Sequence, residues 1–378
     1  MAESNSRASL RAIFVLEQTL GHVTHSANLR SLLADEPQLD PTFLPIRPEV
    51  DGFARRVPGF TNWTVRAGVR ARIALRRLTG LHRKPPADAM FIHSQVPAIL
   101  TGRWMRKIPT IVSLDATPVQ YDELGEYYAH DVGSPRVERW KWTANQRCFR
   151  RARHIVTWSQ WTLESLVDDY AIDRAAITVI PPGVDVDRWS REQPRDDAER
   201  PVRVLFVGGD LERKGGDLLL DAARRLRVEA GLPEFELHVV TRSDVAEEPG
   251  LHVYRDLGPN DPRLIELYHE CDVFCLPTMG DCLPMVLSEA GAAEMALVST
   301  DVGAIREIVR DGETGILIPP RDLDALVDAL RRLIGDAGER RRMGTAAAEL
   351  VRSKFDALRN ARQIVNLLRS VTPHDATP

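Results

Sequence analysis

Two doubly wound α/β domains in series are the fold class this sequence predicts. Three observations carry that expectation. Short apolar runs alternate with helix-period stretches along almost the whole chain. A Pro181-Pro182-Gly183 break, followed by the polar Ser190–Arg200, divides the alternation into two series. Glycine-bearing turns then follow the apolar runs, at the strand ends where open α/β sheets bind ligands. Composition agrees: 378 residues, 43% hydrophobic and 28% charged, supply packed cores and argue against a disordered or fibrous chain.

Ala12–Leu16 reads as the first strand, with a helix over His22–Leu33. Ala89–Ile92, Thr110–Leu114, His154–Thr157 and Thr178–Ile180 read as further strands. Helices fit near Ala98–Arg106, Arg136–Arg151 and Thr162–Tyr170. Residues 1–189 form the first domain and 190–200 the linker. In the second domain, 201–355, the strands are Val202–Val207, Phe235–Val240, Val273–Leu276 and Ala296–Ser299. Its helices are Asp217–Ala230, Arg263–Glu270, Met285–Ala293 and Leu323–Leu333. Residues 356–378 hold a last helix, near Asp356–Arg369, with the N-terminal domain as its candidate packing surface.

Several classes are excluded. A net charge of −4 and a pI near 6.2 leave no whole-protein basic field for nucleic acid. No run reaches the roughly 18 apolar residues of a membrane span. Met1–Arg11 shows no secretory signal. Cys148, Cys271, Cys275 and Cys282 show no metal-ligand spacing and read as reduced thiols of a cytoplasmic protein. No metal and no bound cofactor are expected.

Two loops of the second domain carry chemistry. Gly208-Gly209-Asp210-Leu211-Glu212-Arg213-Lys214-Gly215-Gly216 follows a strand and opens a helix. Its glycines admit a close backbone approach, the helix start offers free N–H groups, and Arg213 and Lys214 add positive charge. That combination suits a phosphate; a flexible turn with two solvated cations is the alternative. Thr278-Met279-Gly280-Asp281-Cys282-Leu283-Pro284 also joins a strand to a helix. There Asp281 is placed to cap the helix that begins near Met285, and Pro284 suits its first turn. The N–H groups of Cys282 and Leu283 can meet a phosphate. Glu289 follows on the helix; by spacing alone it is an ordinary solvent-facing glutamate.

These residues resemble the retaining GT-B glycosyltransferases of family 4. Phe206-Val207-Gly208 with Arg213-Lys214-Gly215 is similar to that family's phosphate loop. Asp281 and Glu289 stand as in its E-x7-E signature, with Asp for the first Glu. Asp301–Val309, Asp311–Gly315 and Pro181–Asp185 match further family segments. The resemblance implies the GT-B fold, two Rossmann-like domains facing a central cleft, with the acceptor bound by the first and the nucleotide sugar by the second. Lys214 and Arg213 would contact the donor diphosphate, Glu289 the ribose, Asp281 the transferred sugar and Leu257 the base. Gly208, Gly209, Cys282, Leu283 and Met285 would line the donor, and Gly21-His22 matches the first domain's glycine-bearing loop that faces the donor phosphate. The family arginine after Gly208 is Gly209 here, and Arg213 is placed to supply that charge.

Asp115, at the end of Thr110–Leu114, stands near where many relatives carry a histidine. It is placed to meet sugar or acceptor, or to make an Asx turn before Thr117-Pro118. His25 and His93 read as structural. Val65–Lys84 holds Arg66, Arg70, Arg72, Arg76, Arg77, Arg83 and Lys84 with no acid, and Val65, Val69, Ile73 and Leu78 at helical spacing. Such a helix suits an anionic surface on the inner face of the cell membrane, with Trp63 and Trp104 as anchors. A site for an anionic acceptor, or a solvated helix covering the sheet, are the other readings. The implied reaction is retaining, metal-independent transfer of a hexosyl group from a UDP- or GDP-sugar to a glycan, lipid or small-molecule hydroxyl, with Lys214, Asp281 and Asp115 as the catalytic set. A GT-B-fold nucleotide-sugar epimerase and a catalytically silent scaffold are the alternatives.

Overall fold

The computed structural model describes residues 9–19, 21–47, 63–80, 86–125, 134–191 and 200–372. Arg83 and Lys84 of the expected basic helix, residues 192–199 of the linker and residues 1–8 lie outside that set. Packing divides the chain into two units. The first runs to Pro182 and resumes at Ala357; the second is built mainly from Gly183–Asp356.

The first unit contains β1 (Leu10–Glu17), α1 (His22–Ala34), β2 (Leu39–Ile46), α2 (Trp63–Thr79), β3 (Ala89–His93), α3 (Gln95–Ala98), α4 (Gly102–Met105), β4 (Thr110–Leu114), α5 (Pro118–Glu123), α6 (Pro135–Arg151), β5 (His154–Thr157), α7 (Gln160–Asp168) and β6 (Ile177–Val179). Its six strands are parallel, in the order β2-β1-β3-β4-β5-β6. β1 explains why a continuous apolar run marks an inner strand. Ala12, Phe14 and Leu16 enter one core cluster with Leu29 and Leu33 of α1, while Ile13 and Val15 enter another with Ala67, Ala71 and Leu75 of α2. The expected helix over Ala98–Arg106 is instead two short helices, α3 and α4. The Thr101 N–H donates to the Ala98 carbonyl at 2.9 Å, and the Thr101 hydroxyl donates to the same carbonyl.

The second unit holds α8 (Val186–Trp189), β7 (Val202–Val207), α9 (Gly216–Arg227), β8 (Phe235–Val240), β9 (Leu251–Tyr254), α10 (Pro262–Glu270), β10 (Val273–Leu276), α11 (Met285–Ala292), β11 (Ala296–Thr300), β12 (Gly315–Ile318), α12 (Leu323–Gly335) and α13 (Ala337–Lys354). Its parallel order is β12-β11-β10-β7-β8-β9. The boundary expected at 189 is corrected: Val184 N donates to Phe355 O at 2.9 Å, and the buried Trp189 meets Tyr268 edge-on at 5.0 Å. These contacts group Gly183–Trp189 with the second unit.

α14 (Ala357–Val371) returns to the first unit, where Ala361, Ile364, Val365 and Leu368 cover the Phe14 face of the sheet. The Asn360 amide donates to the Pro181 carbonyl at 3.1 Å. Of the apolar residues expected at helical spacing on α2, Val65 and Val69 are half-buried. The helix buries Ala67, Gly68, Ala71 and Leu75, and turns Trp63, Ile73 and Leu78 outward. Small residues let it lie close to its neighbours: a Cβ at Gly68 would come within 2.9 Å of Leu100 Cγ.

Candidate active site

The second unit builds its site where β7 and β10 end. α9 starts at Gly215, which is left-handed at φ +73, and a Cβ there would stand 1.9 Å from the Pro277 carbonyl oxygen. Only glycine lets the α9 loop press against the β10–α11 connection in this way. Met279 N donates to Arg213 O at 2.9 Å and fixes the register of the two loops. Gly303, at φ +55, lies against the backbone of Asp281 from the other side, and Ala304 N donates to Cys282 O at 2.8 Å.

That clamp brings Lys214 onto Asp281. Lys214 Nζ donates to Asp281 Oδ1 at 2.7 Å and also meets Oδ2, which accepts from Thr278 Oγ1 at 2.9 Å. Arg213 Nη1 donates to Gly280 O at 2.9 Å and lies 3.5 Å from Asp281 Oδ1. Arg213 is therefore drawn into the loop network, whereas a Cβ on Gly209 would face open space. The expected capping role of Asp281 is corrected. The N-cap of α11 is Pro284, with no side-chain hydrogen bond, because the Asp281 carboxylate is turned to Lys214 and Thr278 instead.

Glu289 is not the solvent-facing residue that spacing alone suggests. It is 7% exposed and accepts from Tyr268 OH at 3.1 Å. Burial lifts its carboxyl to about 7, against the opposing hydrogen bond from Tyr268. Cys282 and Leu283 are buried and Met285 half-buried at the start of α11. Leu257 is half-buried in the loop after β9.

The first unit joins two other candidates. His22 Nε2 lies 3.6 Å from Asp115 Oδ2, and that oxygen also accepts from Tyr121 OH at 2.8 Å. No Asx turn forms at Asp115: its Oδ1 accepts from the adjacent Ala116 N at 2.9 Å, and Thr117 N donates to Gln120 Oε1 at 3.0 Å. A carboxylate only accepts, so it favours a proton on His22 Nε2. His22 Nδ1 then accepts from His93 Nε2 at 2.8 Å, and His93 Nδ1 faces Ser113 Oγ at 3.3 Å. Burial first, and then the neighbouring His22 and His25 rings, hold His93 well below the ordinary histidine range. Burial likewise pushes His25 down to about 3. Trp158 stacks on His93 at 5.1 Å and 4° and meets His25 edge-on. Gly21 directly precedes α1 and His22, and a Cβ there would meet nothing within 4 Å.

Sequence reasoning missed the partners in these networks. Thr278, Tyr268, Tyr121, Trp158 and the His22–His93 contact carry no local spacing signal. Glu17, first residue of the loop Glu17–His25 that the sequence places at a strand end, is 2% exposed and accepts from Thr19 Oγ1 at 2.9 Å, Trp63 Nε1 at 3.1 Å and Ser94 Oγ. The four cysteines are free and buried.

Two Rossmann-like units in series, each a six-stranded parallel sheet covered by helices, define the class by fold: GT-B. Comparison with known proteins names the family. The model for "Glycosyl transferases group 1" matches residues 201–336, and that for "Glycosyltransferase Family 4" matches residues 33–188. A phosphatidyl-myo-inositol mannosyltransferase of Mycobacterium leprae is 35% identical over 222 residues, 56% of each chain. The MMP alpha-(1->4)-mannosyltransferase of Mycolicibacterium hassiacum is 30% identical over 222 residues, 56% of this chain and 53% of that one. The alignments thus span about half the length of these relatives. A sucrose-phosphate synthase from Thermosynechococcus elongatus shares the fold, with a TM-score of 0.72 at 15% identity, covering 97% of this chain and 99% of that one. The chain belongs to family 4 of the GT-B glycosyltransferases.

Proposed function

We propose that the protein is a retaining glycosyltransferase moving a hexosyl group from a UDP- or GDP-sugar to an acceptor hydroxyl in glycolipid, polysaccharide or other glycoconjugate synthesis. The observation that carries this reading is the Lys214–Asp281 pair with Arg213 beside it, at the ends of β7 and β10. A diphosphate can replace the carboxylate as partner of both cations. Their charge then favours departure of the nucleoside diphosphate. Released from Lys214, Asp281 accepts hydroxyls of the transferred sugar.

Glu289 accepts from the ribose, Leu257 packs on the base, and the N–H groups of Cys282, Leu283 and Met285 face phosphate. Gly208 and Gly209 admit the close backbone approach of the donor. In the first unit Gly21 and His22 serve the donor phosphate, as the family resemblance implies, and Asp115 meets the sugar or the acceptor. The departing phosphate takes the acceptor proton on the face from which it leaves, which retains the anomeric configuration without a protein nucleophile. Lys214 and Arg213 fill the electrostatic role of a metal, so transfer is metal-independent.

A lipid acceptor fits the phosphatidyl-myo-inositol mannosyltransferase to which the chain is 35% identical. The outward Trp63, Ile73 and Leu78 of α2, among Arg72, Arg76 and Arg77, support peripheral contact with an anionic membrane face. No helix among the described residues is long and apolar enough to cross a membrane. Trp104, expected as a second anchor, packs against the core and donates to Thr79 Oγ1 at 3.1 Å.

The test is incubation with radiolabelled UDP-glucose, UDP-GlcNAc and GDP-mannose in the presence of phosphatidylinositol and glycan acceptors. Transferred label with released nucleoside diphosphate, the same anomer in product as in donor, and turnover in chelator are expected. An altered sugar on an intact nucleotide would make the protein an epimerase, a reading that draws no support from the relatives above. Binding of donor without turnover across these acceptors would favour a scaffold.

A further inference from the structure

Glu236, His238 and His252 meet on the second unit's sheet, away from the loops described above. Glu236 and His238 alternate on β8 and therefore share one face. His252 on β9 pairs in register with His238, and the two imidazoles stack at 4.7 Å. Nε2 of His238 lies 3.5 Å from Glu236 Oε2, and Nε2 of His252 lies 3.8 Å from Glu236 Oε1. One ligand atom from each of the three falls within 4.8 Å of the others.

His238 supplies an independent observation. It is 5% exposed, and its Nε2 is buried with no hydrogen-bond partner. A buried polar atom left so costs stability unless something else meets it. Its other nitrogen, Nδ1, is engaged by Tyr254 OH at 3.0 Å. A proton on Nδ1 toward Tyr254 leaves the Nε2 lone pair facing Glu236, the arrangement in which a ligating histidine is fixed by an outer partner. Arg203 Nε donates to Glu236 Oε2 at 3.3 Å and its Nη1 to Glu270 at 3.0 Å, so Arg203 orients the carboxylate and leaves Oε1 toward His252.

We propose that Glu236, His238 and His252 form a zinc site that fastens the edge strand β9 to β8. Two imidazoles and a carboxylate are a zinc donor set, with a fourth position left for water. Bonds of about 2.0–2.2 Å at tetrahedral angles put ligand atoms roughly 3.3–3.5 Å apart. His238 Nε2 and Glu236 Oε2, at 3.5 Å, already stand at that separation, and His252 Nε2 lies 3.8 Å from the other carboxylate oxygen. His252, with a side chain 47% exposed on the edge strand, has room to rotate inward to complete the set. The ligands escaped the sequence reading because two come from one strand and one from its neighbour. The role is structural: Glu236 sits opposite Arg203, five residues before Gly208, about 16 Å away at the strand rise.

The experiment is calorimetric titration of chelator-treated full-length protein with zinc chloride, paired with thermal melts. Wild type binds one zinc per chain, and its melting temperature rises with zinc. His252→Ala loses that binding and the shift; its exposed position spares the apo fold. Tyr254→Phe keeps the ligands but binds zinc about 10–100-fold more weakly. Folded wild type that takes up no zinc, or His252→Ala that binds as wild type does, overturns the proposal. Neither readout depends on the donor or acceptor assigned above.

Discussion

The polar clusters at the two sheets are built on opposite principles. In the second unit, Lys214, Arg213 and Asp281 are charged groups paired with one another, each side chain 10–16% exposed. In the first unit, His93 and His25 are buried, held toward their neutral forms and packed against Trp158. A charged pair that keeps some contact with water can exchange one partner for an anion at modest cost. A buried neutral network cannot, because an orphaned member would lose its hydrogen bond without gaining water. The second unit is thus suited to exchanging partners, and the first to holding His22 and Asp115 in one orientation.

The largest expected effect tests the clamp that makes the exchange possible. Gly215→Ala places a methyl against the Pro277 carbonyl at a left-handed position. A loss of about 3–5 kcal/mol is expected in denaturant unfolding. Wild-type stability in this variant would show that the two loops are not locked together.

Lys214→Ala comes next. Losing a charged hydrogen bond of about 1.5–3 kcal/mol should weaken nucleoside diphosphate binding by one to two decades in calorimetry. Asp281→Asn sharpens the same point with the opposite sign. Freed of its competing carboxylate, Lys214 should bind the diphosphate as well as before or better, while transfer falls because the sugar loses its anchor. Parallel losses of nucleotide affinity in both variants would mean that Asp281 serves only to position Lys214.

Glu289 lets the comparison be read through pH. Its carboxyl stands at about 7 in the fold against an ordinary 4.5. Between those values the native state holds a proton that the unfolded chain has lost. Wild-type stability therefore falls as pH rises from about 4.5 to about 7, and it is unpenalised below that window. Glu289→Gln should remove the fall and be about 1–3 kcal/mol more stable than wild type at pH 8. It should also bind nucleotide less well. A variant with an unchanged pH–stability profile would place Glu289 in contact with water.

The smallest effect concerns α2 of the first unit. Arg76→Ser should weaken binding to anionic vesicles by about fivefold, near 1 kcal/mol for one surface arginine. Added salt should reduce the difference. Equal binding of wild type to neutral and anionic vesicles would remove the membrane role.

The doubly wound class, nine of the twelve strands among the described residues and the glycine-rich loop that carries Lys214 were legible in the sequence. Inner strands such as Ala12–Leu16 are covered on both faces and read as unbroken apolar runs. The three strands it missed, β2, β9 and β12, are all sheet edges. β2 carries Pro41 and Pro45, tolerated where one side of the ladder is unpaired, and they hide the strand from any apolar count. Only the tertiary structure decided the site's pairings. Lys214 and Asp281 stand 67 residues apart, as do Arg213 and Gly280, while His22 and His93 stand 71 apart. Burial lifted the carboxyl of Glu289, with the Tyr268 hydroxyl as its hydrogen-bond donor. Apolar periodicity is written along the chain because burial acts on each element locally. A hydrogen-bond partner is set by which strands lie side by side, and no local pattern records that.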